Sequence, residues 1–195
     1  MIRVFDLLIS FLALVLLFPF FLVMAFLILL DSRGGVFYLQ SRVGRNNRDF
    51  RLIKFRTMKK DSDRQGQLTI GSSDQRITAT GRFLRKYKLD ELPQLMNVLK
   101  GDMSLVGPRP EVRKYVDLYT EEQRSVLNVR PGITDYASLE YFEENDLLAA
   151  SPDPEKTYIE RIMPAKLELN RKYLEDRGPG TYFRILGKTM VRIFR

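Results

Sequence analysis

The chain has 195 residues and a net charge of +8, and it contains no cysteine, histidine or tryptophan. This composition excludes disulfide frameworks, thiolate nucleophiles, Ser-His-Asp triads and ordinary zinc sites. The reactive groups that remain are carboxylates, hydroxyls, lysines and tyrosines, and the metal that suits carboxylates and phosphates is a hard cation such as Mg²⁺.

An apolar run extends from Leu7 to Leu30 and is interrupted only by Ser10 and Pro19. A helix of this length reaches roughly 36 Å, enough for a bilayer core of about 30 Å. The run is too long for a signal peptide and no small-residue cleavage site follows it, so we expect a retained membrane anchor rather than a buried core hairpin. Because Pro19 lies in its middle, the anchor is either a kinked span or two half-helices that enter and leave by the same face.

The positive charge lies entirely after this run, because Arg3 and Asp6 cancel each other before it. Several arginines follow the run directly, and a positive flank of this kind predicts that the rest of the chain is cytoplasmic. About 165 residues remain after the run, enough for one domain with its own core. A basic chain could also bind nucleic acid, but residues 135–155 carry seven acids and no lysine or arginine, which would repel a polyanion. We therefore expect no nucleic-acid partner. The arginines behind the run are Arg33, Arg42, Arg45, Arg48 and Arg51.

Two stretches after the anchor predict a short β-hairpin. Residues 36–40 and 50–58 are rich in β-branched and aromatic side chains and are separated by a polar turn at 44–47. The polar stretch 61–75 contains glycines and serines, and it predicts a loop of the length usually kept for substrate handling.

An apolar stripe with helical spacing predicts a helix that buries one face. Asp90 stands at its start as an expected N-cap, and Pro93 is tolerated in the first turn. Residues 101–110 are too rich in glycine and proline for a regular element and predict a shaped loop. The stripe consists of Leu92, Leu95, Met96 and Leu99.

Helical signals continue to the end of the chain. Asp153 and Pro154 open a predicted long helix that bends near Pro164 and is closed by residues 178–179. Further signals are a helix from about Glu111, a capping box at Thr120–Gln123 and a turn at 130–132.

Residues 181–195 predict an amphipathic helix that lies in the lipid headgroup region. The alternative is a terminal helix docked on the core with a solvated basic face. The basic residues on one side are Arg184, Lys188, Arg192 and Arg195, and the apolar ones opposite are Phe183, Leu186, Met190, Ile193 and Phe194.

Two adjacent carboxylates, Asp90 and Glu91, lie at the predicted start of a helix, where the helix dipole favours anions and would keep Asp90 ionised. Alone they fit a simple N-cap, but basic residues surround them. Arg109 lies between Pro108 and Pro110, which would present its guanidinium from a rigid backbone for bidentate phosphate binding. Together with an anchor, these groups suggest phosphoryl transfer to or from a lipid. The nearby cations are Arg82, Arg85, Lys86 and Lys88.

Three segments resemble the bacterial sugar transferases, the monotopic polyprenyl-phosphate phosphoglycosyl transferases. They read KFRTM at 54–58, LDELPQLMNVLKGDMSLVGPRP at 89–110 and RPGIT at 130–134. The resemblance runs from the anchor to about Thr134. It implies transfer of a phosphosugar, expected to be an N-acetylated amino sugar, from a UDP-sugar to undecaprenyl phosphate on the cytoplasmic face of a bacterial inner membrane, with release of UMP.

The resemblance also implies roles for single residues. Asp90 would attack the sugar-linked phosphate and form a covalent intermediate, and Asp90 with Glu91 would bind Mg²⁺. Lys54, Arg85 and Arg109 would contact phosphates. The anchor would be a re-entrant hairpin broken at Pro19, although relatives have a serine where this chain has Phe18.

The expected fold is therefore α+β and mostly helical. Residues 1–32 form the re-entrant anchor, 33–180 a compact helical catalytic domain with the hairpin, and 181–195 the interfacial helix. Membrane lipid and a second copy of the chain are further expected partners. The segment 135–138 reads DYAS where many relatives have GWAQ, so the choice of sugar stays open. Rival functions are a membrane-tethered scaffold for an acidic partner and a glycosyl transferase that releases UDP.

Overall fold

The computed structural model describes residues 2–60, 62 and 74–193, and in these the chain is mostly helical, as predicted. It has two small sheets, of which only the hairpin was predicted. The predicted loop at 61–75 falls largely outside the described residues. The helices are α1 Ile2–Asp31, α2 Ala79–Lys86, α3 Gln94–Lys100, α4 Arg113–Val116, α5 Tyr136–Glu140, α6 Glu144–Ala149, α7 Pro154–Thr157, α8 Met163–Glu175 and α9 Pro179–Ile193. The strands are β1 Phe37–Val43, β2 Asp49–Phe55, β3 Ser104–Val106 and β4 Gly132–Thr134.

The apolar run forms one helix, α1, which continues through Pro19 without a non-helical break. The two separated half-helices expected at Pro19 are therefore not seen. Along one side α1 buries Asp6, Ser10, Met24 and Ile28 against the rest of the chain, at the heptad-like spacing of a packed helix. The opposite side exposes large apolar residues along its whole length, as a lipid-facing surface would. These include Val4, Leu8, Phe11, Leu12, Val15, Leu16, Leu22, Val23, Phe26 and Leu30.

Polar contacts hold both ends of α1 on the same body. At the C-terminal end, the backbone N–H of Thr80 donates to Asp31 Oδ2 at 2.6 Å, so α1 caps the start of α2. At the N-terminal end, Arg3 Nη1 donates to the carbonyl oxygen of Met103 at 3.2 Å.

Asp6 is the buried polar centre of the N-terminal contact. The hydroxyl of Ser104 donates to its two carboxylate oxygens at 3.0 and 2.9 Å, and the backbone N–H of Leu105 donates to Oδ1 at 2.9 Å. The hydroxyl of Tyr182 donates to the same oxygen at 3.0 Å. One carboxylate thus joins α1, β3 and α9.

The predicted hairpin is confirmed, with seven residues in each antiparallel strand. The first strand extends to Val43, beyond the predicted 36–40, whereas the second ends at Phe55, before the predicted end at 58. Asn97 of α3, which is fully buried, docks this hairpin on the helix. Its Oδ1 accepts from the N–H of Ile53 at 2.9 Å, and its Nδ2 donates to the carbonyl oxygen of Arg51 at 2.8 Å. This fixes the next residue of β2, Lys54, beside the turn that precedes α3.

The predicted loop at 101–110 contains a short buried strand, β3, which pairs in parallel with β4. The pairing depends on two glycines that bring the backbones into close approach. A Cβ on Gly132 would lie 2.1 Å from the backbone nitrogen of Gly107, so no larger side chain fits there. A three-residue strand between glycines and prolines has no periodicity long enough to be recognised.

The C-terminal helices follow the predicted signals with one local difference. Asp153 caps α7 by accepting from the N–H of Lys156 at 3.0 Å. The bend was predicted near Pro164, and there the structure has a π-helical turn at Tyr158–Ile162, which ends two residues before Pro164. Proline has no N–H for the helical ladder, which such a turn accommodates. The predicted capping box is reciprocal between Thr120 and Gln123, although it opens a 3₁₀ helix rather than an α-helix.

Helix α9 is docked on the core and keeps an exposed face. Tyr182 and Ile185 are fully buried, whereas Phe183, Met190 and Val191 are exposed beside the basic residues. The ring of Phe183 lies 5.1 Å from that of Phe5 on α1, so the exposed apolar surface of α1 continues onto α9. Phe194 and Arg195 lie outside the described residues.

Replacement of Asp6 by alanine tests this attachment of α1. The change leaves buried donors on Ser104, Leu105 and Tyr182 without an acceptor, so we expect a loss of about 3 kcal/mol in the free energy of unfolding. Asp6→Asn, which keeps one acceptor oxygen, should lose less. Thermal unfolding in detergent is the measurement, with the exposed Asp117→Ala as control; equal midpoints for Asp6→Ala and the control would contradict the assignment.

Candidate active site

The two adjacent carboxylates lie in a 3₁₀ turn, Leu89–Glu91, and not at the cap of α3. Helix α3 begins only at Gln94, after Pro93, and Asp90 makes no capping hydrogen bond to it. The expectation of an N-cap at Asp90 is therefore wrong. Lys88, directly before the turn, has a left-handed backbone conformation with a φ of 56°, which is uncommon for a residue other than glycine. This conformation turns the chain so that Asp90 is buried.

Glu91 is held by two cations from distant segments. Its Oε1 accepts from Lys54 Nζ of β2 at 3.1 Å, and Arg109 donates to both of its carboxylate oxygens, with Nη1 at 2.9 Å from Oε2. Burial raises the pKa of Glu91, but Arg109 and Lys54 outweigh it and hold the pKa well below its ordinary value. Glu91 in turn raises the pKa of Arg109. The ionised carboxylate of Glu91 thus positions Lys54 and Arg109 next to each other.

Asp90 has the opposite environment. Within the described part of the chain, no hydrogen bond or ion pair engages its carboxylate. Burial, and then the charge of Glu91, raises the pKa of Asp90, whereas Lys54, Arg85 and Lys88 favour its ionised form. The expected stabilisation by a helix N-terminus is absent, since no α-helix begins there. Asp90 is therefore a buried carboxyl group with no hydrogen-bonded or ion-paired partner among the described residues.

The backbone of Arg109 is fixed by its neighbours. Its N–H donates to Oδ2 of the fully buried Asp135 at 3.1 Å, and Pro108 accepts from the N–H of Gly132 at 3.0 Å. The other oxygen of Asp135 caps α5 by accepting from Ser138 N–H at 2.6 Å. Arg109 was expected to be a free phosphate clamp, but its guanidinium is engaged by Glu91.

These groups line a cavity of about 540 Å³. Of the residues singled out from the sequence, it brings together Lys54, Arg85, Asp90, Glu91, Arg109 and Pro110. Pro108 supports the cavity from outside its lining, and Pro19 lies away from it on α1.

One wall of the cavity was missed by sequence reasoning. Glu111 accepts from Arg42 Nη1 at 2.8 Å, and the hydroxyl of Tyr158 also donates to it. Burial, together with Glu111, raises the pKa of Tyr158. The position of Glu111 directly after Pro110 was the only signal, since Arg42 and Tyr158 are far away in the chain.

The carboxylates fit a magnesium ion only in part. No group of three or more acidic residues that could hold a metal occurs in the described ranges. Magnesium in proteins commonly keeps several waters and is bound by one or two carboxylates together with substrate phosphates. Asp90 and Glu91 supply that number of carboxylates, so the donor set suits a metal that is shared with a bound phosphate.

The chain is similar to one known protein family over its whole length and to individual members of it over about two thirds of its length. The model of the family described as bacterial sugar transferase matches residues 1–195. A UDP-N-acetylgalactosamine-undecaprenyl-phosphate N-acetylgalactosaminephosphotransferase of Aeromonas hydrophila is 47% identical over 137 residues, which are 69% of this chain and 32% of that protein. An undecaprenyl-phosphate glucose phosphotransferase of Komagataeibacter xylinus is 44% identical over 144 residues, which are 70% of this chain and 27% of that protein.

A third relative is closer in length. A putative undecaprenyl-phosphate N-acetylgalactosaminyl 1-phosphate transferase of Bacillus subtilis is 41% identical over 120 residues, which are 62% of this chain and 67% of that protein. The chain thus spans between about a quarter and two thirds of the length of these relatives.

The contrast between the two carboxylates predicts opposite effects on stability. Because the pKa of Asp90 is raised in the folded protein, this group destabilises the fold at pH 7. The cost begins to shrink as the pH falls through the raised pKa and is lost only below the ordinary pKa. Asp90→Asn should therefore unfold at the same or a higher temperature than the parent. The lowered pKa of Glu91 means the reverse: its charge stabilises the fold above its ordinary pKa.

Glu91→Gln should accordingly lose about 3 kcal/mol, since two cations are left without their carboxylate. Thermal unfolding of both variants at pH 7, in the same detergent, is the measurement. A destabilised Asp90→Asn together with an unchanged Glu91→Gln would reverse the assignment of the two residues.

Proposed function

The chain belongs to the bacterial sugar transferase family, and from this membership we propose that it transfers a phosphosugar from a UDP-sugar to undecaprenyl phosphate and initiates surface glycan assembly. The observation that carries the proposal is the buried, uncommitted carboxylate of Asp90 beside a carboxylate that holds two cations. A non-catalytic scaffold that binds an acidic partner does not require two adjacent carboxylates inside a cavity. The names of the relatives point to the same donor and acceptor classes.

The reaction has two steps. In the first, a carboxylate oxygen of Asp90 attacks the sugar-linked phosphorus, a new P–O bond forms, and the bond to the uridine-linked phosphate breaks so that UMP leaves. In the second, an oxygen of the lipid phosphate attacks the same phosphorus and the bond to Asp90 breaks. The product is a lipid diphosphosugar, and neither step needs a redox partner or a net proton.

The cations around Glu91 would receive the donor diphosphate. Lys54 and Arg109 are held together before substrate binds, so part of the entropy of assembling a phosphate site is lost during folding. Arg109 can exchange one carboxylate oxygen of Glu91 for a phosphate oxygen, because its planar fork fits both anions. Asp90 and Glu91 would hold Mg²⁺ together with the diphosphate, and the ion would supply charge neutralisation to the leaving UMP.

The helix α1 would hold this site at the membrane. Its exposed apolar side suits lipid, and both of its ends contact the same body through Asp6 and Asp31. This favours a re-entrant arrangement in the inner membrane, with both ends on the cytoplasmic face. Because α1 is not broken at Pro19, it would enter the membrane from that face as one continuous helix and not as two half-helices. A helix that crossed the membrane would carry one of its two ends away from its partners.

The donor is expected to be an N-acetylated amino sugar on UDP. Relatives named for N-acetylgalactosamine and for glucose are similarly identical, so the choice has to be measured. The full chain should be incubated with undecaprenyl phosphate, Mg²⁺ and each of a panel of UDP-sugars. We expect UMP to be released with one or a few donors. Release of UDP would instead identify a glycosyl transferase that moves only the sugar.

The covalent step predicts an exchange reaction that needs no acceptor. With labelled UMP and the accepted UDP-sugar, but without lipid, label should appear in the UDP-sugar, because the first step is reversible. Asp90→Asn should lose both exchange and net transfer by more than a hundredfold while it still folds. Net transfer by the parent without any exchange would contradict the two-step mechanism.

The re-entrant arrangement predicts the side on which α1 ends. The chain contains no cysteine, so a single cysteine at Ile2, the first residue of α1, gives an unambiguous label. Ile2→Cys should react with an impermeant thiol reagent only from the cytoplasmic side. Asp117→Cys, on the exposed surface of the catalytic domain, is the reference for that side. Opposite labelling of the two variants would mean that α1 crosses the membrane.

A further inference from the structure

The cations that line the cavity fall into two groups. In the first group, Glu91 pairs with Lys54 and Arg109, Glu111 with Arg42, and Glu144 with Lys166. The second group lines the same cavity without an ion pair in the part of the chain that the structure describes, and it consists of Arg56, Lys59, Arg85, Lys88 and Arg192. Lys88 and Arg192 are distinguished from the others by a shared aromatic contact. A new anion is bound more strongly by cations whose charge is not already compensated.

These two cations converge on one aromatic ring. Lys88 Nζ lies 5.3 Å and the guanidinium carbon of Arg192 5.1 Å from the ring centroid of Phe142. Lys88 comes from the turn that carries Asp90, and Arg192 comes from the last helix, α9. The ring of Phe142 therefore contacts two positive charges from segments that are far apart in the chain. The ring stabilises both cations, which would otherwise repel each other.

Apolar side chains continue from this ring along the same wall. Leu139 of α5 and Leu186 and Met190 of α9 all line the cavity. Met190 is largely exposed, so the wall reaches from the cavity to the outer face of α9. That face joins the exposed apolar surface of α1 through the contact between Phe183 and Phe5.

We propose that this wall is the entry site of the lipid acceptor, with the lipid phosphate bound between Lys88 and Arg192 and the first isoprene units lying on Phe142, Leu186 and Met190. The proposal rests on the proposed function, since it locates the acceptor of that reaction. A pair of uncompensated cations followed by an apolar strip matches an amphiphile with an anionic head, and neither a sugar nor a nucleotide has that distribution of charge.

The position also suits the second step of the reaction. Lys88 is two residues before Asp90, and its left-handed backbone directs the turn into the cavity. A phosphate bound there would contact cations other than Lys54 and Arg109, which Glu91 already holds. Donor and acceptor phosphates would then occupy different cations around one nucleophile.

The test uses the absence of tryptophan from the chain. Phe142→Trp creates a single fluorophore at the proposed site and keeps the contact with both cations, since tryptophan is the best aromatic partner for a cation. Farnesyl phosphate, a short prenyl phosphate, is titrated into this variant in detergent, with farnesol and inorganic phosphate as separate probes. We expect saturable binding of farnesyl phosphate and at least tenfold weaker binding of the other two.

Charge removal then identifies the phosphate contacts. Combined with Phe142→Trp, the changes Arg192→Gln and Lys88→Asn should each raise the dissociation constant for farnesyl phosphate about fivefold to tenfold. Asparagine is chosen for position 88 because it tolerates the left-handed conformation. Lys188→Gln is the matched control: it removes a charge one helical turn from Arg192, outside the cavity lining, and should change the constant less than twofold.

A second measurement does not depend on the fluorophore. With phenylalanine retained at 142, Arg192→Gln should raise the KM for undecaprenyl phosphate and leave the acceptor-free UMP exchange unchanged. Equal binding of farnesol, equal weakening by Lys188→Gln, or an unchanged KM in Arg192→Gln would each overturn the site. If Phe142→Trp binds farnesyl phosphate as expected but the parent protein transfers no phosphosugar, the proposed function is refuted and the site still stands.

Discussion

The arrangement of charges in the cavity depends on the carboxylate of Glu91, which two cations share. Glu91 is contacted at the same time by Lys54 from the hairpin and by Arg109 from the segment between Pro108 and Pro110. These three segments are far apart in the chain, and only folding brings their charges together. The other positioning contacts serve the same end: Asn97 fixes the strand that carries Lys54, and Asp135 fixes the backbone of Arg109.

This arrangement gives two neighbouring residues of the same chemistry opposite roles. Arg109 and Lys54 hold the pKa of Glu91 well below its ordinary value, so its carboxylate is charged at pH 7 and compensates these two cations. Asp90 is buried and is repelled by the charge of Glu91, and both effects raise its pKa. Among the described residues, no cation forms an ion pair with it. An energetically unfavourable group of this kind is typical of functional sites. Under the proposed function, the same turn would contribute both stability and reactivity.

Sequence reasoning succeeded where the signal was local. The apolar helix, the hairpin, the capping box at Thr120 and the cap at Asp153 follow from short-range chemistry and were predicted with nearly correct bounds. It failed where contacts join distant segments. The partners of Asp6, the pairing of β3 with β4 and the engagement of Arg109 by Glu91 depend on the fold as a whole. The N-cap at Asp90 was a local prediction that the intervening turn and Pro93 overturned.

The central claim is that Asp90 carries the phosphosugar while Glu91 organises the cations. The most direct test is to mix the protein with its UDP-sugar without lipid, quench it in acid, digest it and locate the added phosphosugar by fragment mass spectrometry. The account predicts the added mass on Asp90 in the parent and no adduct in Asp90→Asn. An adduct on Glu91, or on any residue that persists in Asp90→Asn, would contradict it.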